Sequence, residues 1–332
     1  MHEHIFLPTL YIEQVMLLPE HKEWLEGWLR GIEPDIERGD VAASMCLQGV
    51  ISELLLHRRV VTDWIGILDG YLTRDRKPLA YSEQYGKRLY KFACWTQSEV
   101  HAIHARWWIE RVCNTGSLLD FPSLIEDLVQ PSGWIYNPQV SPTGMRTRMK
   151  SEYLMSFAMG MEILGAYDRL EKNRADFEGL LSSEPLTGYL SAEYFRAFAL
   201  RLLDKKELAP ASLSSVVTSC AVGDGYCDFN VKDKIDDYMG TVKRTGRDIP
   251  VHSALSALHA LFLVTFCSEE VRPHIIEQVK RFGNHIKSEP MDIQPFRMRQ
   301  IDVPFGTGLS PLEVIAASAL YYWQQATGEP PM

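Results

Sequence analysis

The chain has 332 residues, 46% hydrophobic and 23% charged, a globular composition that excludes the disordered, collagen-like and coiled-coil classes. Its length suits two domains of ordinary size or one large one. Lys and Arg number 34 against 43 Asp and Glu, a net charge of −9, which argues against nucleic-acid binding because that depends on basic side chains neutralising phosphates.

The charge is concentrated at one end. Residues 1–40 hold nine acids and three bases, so this segment carries −6 of the total. Pro19 suits the first turn of a helix, and over Glu20–Ile32 the side chains Trp24, Leu25, Trp28 and Leu29 form one apolar stripe. An acidic stretch of this kind attracts a basic partner through long-range, salt-sensitive forces; the plainer reading is a solvated helix face near a terminus, as charge runs usually are. Glu20, Glu23, Glu26 and Trp28 are the expected partner-binding residues.

Further helices are predicted over Val41–Leu56 and, after a bend, Val60–Leu72, where Val61, Trp64, Ile65, Leu68 and Leu72 share a face. Tyr81–Trp95 and Gln97–Cys113 follow, stopped by Asn114-Thr115-Gly116-Ser117. Leu118–Val129 reads as a short helix with Pro122 near its start. Pro131–Gly144 has three prolines and two glycines and cannot be helical. It is the expected connector (131–144) between an N-terminal helical half (1–130) and a C-terminal one (145–332). Helices resume at Arg146–Ala166, Leu190–Leu203, Ala211–Ala221, Val231–Val242, Val251–Phe266, Ser268–Phe282 and Ser310–Gln325. The fold class is all-α, a multi-helix bundle or helical-hairpin array in two packed halves.

No motif for a P-loop, dinucleotide fold, zincin or α/β-hydrolase occurs. One constellation has metal-ligand chemistry. His101 and His104 lie at i, i+3, and Glu53 and His57 at i, i+4 with His57 on the inward stripe. If the two helices packed antiparallel, Glu53, His57, His101 and His104 would converge as imidazole and carboxylate ligands do in helical bundles. This is an alternative reading with a divalent metal; the leading reading has no cofactor. The acids of Asp224–Asp237 fail the calcium-loop pattern and read better as helix caps. His252 and His259, seven apart, share one face of an apolar helix.

The irregular loop 288–311 carries Arg297 and Arg299, which with Trp134 and Tyr136 form a second alternative, a small-ligand or anion pocket between the halves. In Trp107-Trp108 and Tyr321-Tyr322-Trp323, adjacent rings point about 100° apart, so one of each group can reach the surface, although core packing also accounts for them. Six scattered cysteines without CxxC imply reduced thiols. The most apolar stretch, Ala254–Cys267, is too short to span a bilayer, and the start of the chain does not read as a secretory signal. The sequence therefore points to a cytoplasmic, non-catalytic, acidic helical protein that binds a macromolecular partner, such as an adaptor, an inhibitor or an immunity- or antitoxin-like protein. That partner is a protein with a basic surface, with neither nucleic acid nor membrane involved.

Overall fold

The computed structural model describes residues 16–37, 43–69, 99–117, 119–135, 149–223, 225–230, 254–288 and 311–326. Among them are twelve α-helices, three short 3-10 turns and one two-stranded hairpin, so the chain is all-α. The chain divides into two compact units: Met1–Ile5, Ile32–Pro185 and Phe198–Leu208 form the first, and Phe6–Gly31, Leu186–Ala197 and Ala209–Met332 the second. Ile135 and Met149, which border the undescribed part of the Pro/Gly-rich stretch, both belong to the first unit. The borders Gly31/Ile32 and Ala197/Phe198 fall inside helices α1 (Pro19–Glu37) and α8 (Leu190–Leu202).

The first unit contains α2 (Ala43–His57), α3 (Trp64–Asp69), α4 (Glu99–Val112), α5 (Phe121–Glu126), α6 (Met149–Ala166) and α7 (Arg174–Ser183). Helix α4 is central and packs on α2, α3, α5 and α6. Residues 103–110 of α4 are all buried; a helix covered on every side must place its polar residues inside as well. Close approach needs small residues at two places. A Cβ at Gly49 would run into the Trp64 ring, and one at Gly160 would lie 2.8 Å from Ile135 Cγ2. Gly133, at φ +86°, turns the chain after α5, so that Gln130 N–H bonds Trp134 O at 2.7 Å and the Trp134 ring meets Phe157 edge-on at 5.4 Å. Helix α7 is not anticipated by the sequence pattern. Its apolar stripe is narrow, yet Phe177 and Leu181 are buried, and Phe177 packs edge-on against Phe157 at 5.0 Å.

The second unit contains the start of α1 and of α8, then α9 (Leu213–Ser219), β1 (Ala221–Val222), β2 (Gly225–Tyr226), α10 (Ala254–Leu263), α11 (Arg272–Ser288) and α12 (Pro311–Ala326). Helix α10 packs on α11, α12 and β2, and all of its residues except Leu255 are buried. The strands pair antiparallel, Ala221 with Tyr226 and Val222 with Gly225. This hairpin stands where the pattern predicts a helix end.

Helix starts are fixed by distant groups. Asp228 accepts from Ser191 N–H at 2.7 Å and from its hydroxyl at 3.0 Å, which caps α8. Glu313 of α12 accepts from Leu255 N–H, near the start of α10, at 3.2 Å. Four helix ends use a non-glycine residue at positive φ: Arg58, Asn114, Asp168 and Asp204. After three of them the chain closes a six-residue bond, Thr115 N–H to Glu110 O, Arg169 N–H to Leu164 O and Lys205 N–H to Leu200 O, as in the Schellman turn. Among the described residues no helix is long and apolar enough to cross a membrane.

Candidate functional site

Helix α1 has two distinct faces. His21, Trp24, Leu25, Trp28 and Ile32 are buried, and each large apolar side chain so covered contributes roughly 1.5–3 kcal/mol. The helix start is also tied down: Leu18 N–H bonds Ser318 Oγ at 3.5 Å, and His21 Nδ1 lies 2.5 Å from the same oxygen. Burial lowers the His21 pKa, against a smaller upward push from Glu20. On the opposite face Glu20, Glu23 and Glu33 are exposed and Glu26 is half-buried. Among the described residues no ion pair engages Glu20, Glu23 or Glu26. Trp28, expected to meet a partner, is instead 2% exposed; it lies on the inward stripe with Trp24 and Leu25, and its role is to hold the helix.

The second cluster is the polar interior of the first unit. The Glu53 carboxylate, on α2, is buried and surrounded by donors. It accepts Val61 N–H at 2.7 Å, Thr62 N–H at 3.1 Å, the Thr62 hydroxyl at 2.5 Å and Trp64 Nε1–H at 3.1 Å. These bonds fold residues 58–63 around the carboxylate and lay the Trp64 ring over Gly49. Farther along α4, His104 Nε2 lies 2.7 Å from Glu162 Oε2 on α6, with both side chains buried. The other carboxylate oxygen, Oε1, is buried without a hydrogen-bond partner among the described residues. Arg106 is held by Glu110 and by Asp69 at 2.5 Å. Burial pulls its guanidinium down, but the bonds to Glu110 and Asp69 outweigh this and leave its pKa raised.

Of the four candidate metal ligands, the side chains of Glu53, His57 and His104 are described, and they are not grouped as a metal site. His57 is exposed, contrary to the inward position its spacing suggests, because it is the last residue of α2, where the chain leaves the packed interface. Glu53 lies near Cys113, whose thiol is pushed up first by burial and then by Glu53 and Asp63. Cys113 is nine residues beyond His104, about 13 Å along a helix. The His101 side chain lies outside the described residues. Among the described residues no three His, Cys, Asp or Glu side chains are grouped to hold a metal.

The alternative pocket falls largely outside the described residues, which include Trp134 but not Tyr136, Arg297 or Arg299. Val231–Val242, His252 and Tyr81–Trp95 are also outside. Trp107 and Trp108 are both buried, while Tyr321, Tyr322 and Trp323 are half-buried. Sequence reasoning missed Glu162. Its signal is a single carboxylate in the apolar run Met161–Leu164, a position that needs a partner once buried. Searches against protein-family models, curated proteins and solved structures find no match to the chain.

Proposed function

We propose that the chain is a binding protein that meets a basic protein surface through the outward face of α1, centred on Glu20, Glu23 and Glu26. The observation that carries this reading is the division of α1: buried Trp24, Leu25, Trp28 and Ile32 fix the helix, so the carboxylates on its other face are presented from a firm support. Carboxylates held in place lose less freedom on binding than those on a mobile segment, and their field steers a basic partner over about a Debye length, 8 Å in physiological salt. In the polar interior, Glu53 is saturated by its own loop and His104 by Glu162, an arrangement that suits a structural role.

Affinity capture with the full chain, at low and high salt and beside Glu20→Lys/Glu23→Lys/Glu26→Lys, tests the proposal. It expects a protein retained at low salt, released at high salt and absent from the charge-reversed bait. An identical set of proteins on both baits contradicts it.

A further inference from the structure

Gly27 stands in the middle of α1, where glycine weakens a helix relative to alanine. Packing accounts for glycine at other helix contacts. A Cβ at Gly49 would strike Trp64, one at Gly160 would crowd Ile135, and one at Gly283 of α11 would lie 3.2 Å from Leu320 O on α12. Gly27 has no such reason. Among the described residues, a Cβ there would meet nothing within 4 Å beyond its own helix backbone. No contact inside the chain therefore calls for glycine at this position, and the space it leaves faces outward.

The residues around it define what fits. Glu20, Glu23, Gly27 and Arg30 follow one another at steps of three, four and three, the spacing at which one helix meets another along a seam. Glu20, Glu23 and Arg30 are exposed, Gly27 is half-buried, and Glu26 flanks the line. Among the described residues no ion pair engages Arg30. The carboxylates lie toward the start of α1 and the cation toward its end, each opposite in sign to the helix dipole there. A helix laid antiparallel on this seam satisfies its own dipole as well. Cations near its C-terminus face Glu20 and Glu23, and an acid near its N-terminus faces Arg30.

We propose that the partner of α1 docks as an antiparallel amphipathic helix along Glu20, Glu23, Gly27 and Arg30, seating an apolar side chain in the notch at Gly27. This rests on the reading of α1 as an acidic docking face and adds what covers it. Glu20 and Glu23 select the partner's cations. Arg30 fixes its direction, because a reversed helix of the same charge pattern would set like charges together. Gly27 sets how closely the two helices approach, since their separation depends on the side chains at the contact. Alanine at this position therefore strengthens the free helix and weakens the complex.

The probe is a fluorescent, stapled helical peptide that carries Glu, Leu, Lys and Lys at steps of three, four and three. A control peptide carries the same residues in reverse order. Each is titrated into the full chain at low salt, and anisotropy is read. Wild type should bind the first peptide at least ten times more tightly than the reversed one. Gly27→Leu should bind it at least ten times more weakly than wild type. Gly27→Ala should also bind more weakly, although its unfolding temperature rises by about 2 °C. Gly179→Ala, on α7, is the control: a Cβ there also meets nothing within 4 Å, so it should gain stability and bind as wild type does. No binding of the first peptide by wild type, equal binding of the reversed peptide, or full binding by Gly27→Leu overturns the helical seam. The acidic face survives such a result if Glu20→Lys/Glu23→Lys/Glu26→Lys still loses the captured protein, and fails with it if that variant retains the captured protein unchanged.

Discussion

His104 and His259 are both buried, each in the central helix of its unit, but their ring nitrogens face different surroundings. His104 meets the Glu162 carboxylate at 2.7 Å. His259 stacks on Tyr194 with ring centroids 4.6 Å apart, and its Nδ1 has no hydrogen-bond partner among the described residues. The contrast extends to the helices that carry them. Helix α4 takes His104, Arg106 and Glu110 inside with it, so directional pairing contributes to holding the first unit. Helix α10 offers Leu258, Leu261, Phe262 and Leu263, and apolar contact dominates around it. A core of the first kind is sensitive to the loss of one partner; one of the second kind is sensitive to a charge appearing inside it.

The largest expected effect follows from the hub that closes the α2–α3 loop. Glu53→Ala leaves the Val61, Thr62 and Trp64 donors without their acceptor, and we expect a loss of about 4 kcal/mol. Hydrogen exchange in α2, α3 and α4 reads this out; unchanged protection there would show that solvent replaces the carboxylate and that the hub is not structural. Next is Glu162→Ala. It strips His104 of its carboxylate and should cost about 3 kcal/mol, visible as a lower urea midpoint for α4 and α6 peptides. Glu162→Gln, which keeps an acceptor, should cost less than half of that. Equal costs for the two variants would mean that packing, not the hydrogen bond, explains the pair.

His259 sharpens the comparison through pH. Burial lowers its pKa from 6.5 to about 3. Between these values the unfolded chain binds a proton that the folded chain refuses, so stability falls as pH is lowered from 6.5 toward 3. One such group contributes a slope approaching about 1.4 kcal/mol per pH unit. His259→Phe keeps a ring against Tyr194 and should flatten the profile by that amount, measured as urea midpoints between pH 6.5 and 4. Equal slopes in the two proteins would remove His259 as the acid-sensitive element.

The smallest expected effect concerns a helix end. Asp204 closes α8 at φ +54°, a conformation that disfavours side chains with a Cβ. Asp204→Gly should raise stability by about 0.5–1 kcal/mol, read by thermal unfolding. A loss instead would show that the Asp204 side chain contributes more than the backbone strain costs.

These same features explain what the sequence revealed. The stripe of Trp24, Leu25 and Trp28 was legible because a helix exposed on one face repeats its apolar residues at helical spacing. It also identified the outward acids Glu20 and Glu23, while placing Trp28 on the wrong face for its expected role. Helix α10 was legible from apolarity alone. The polar interior was not, since spacing along one helix cannot reveal which residue of another helix faces it: His104 was noticed, Glu162 was not, and Glu53 was considered only as an alternative metal ligand while its partners lie eight to eleven residues ahead. Helix α7 escaped because its stripe is narrow. The helix ends before Asn114, Asp168 and Asp204 were legible although the residues at positive φ are not glycine: the pattern stops at Cys113, Ala166 and Leu203, within one residue of the observed ends. Asp228 was read within an acidic run, yet it caps α8, 37 residues earlier.

The most direct test of α1 as the acidic docking face proposed above is the salt dependence of affinity for the captured partner. Purified wild type and Glu20→Lys/Glu23→Lys/Glu26→Lys are titrated with that partner in low and high salt, after equal thermal unfolding confirms that surface changes have left stability within about 0.5 kcal/mol. A docking role for α1 requires binding at least ten times weaker for the variant in low salt, with the two affinities converging as salt rises. Equal affinities at low salt, with both proteins folded, would contradict it.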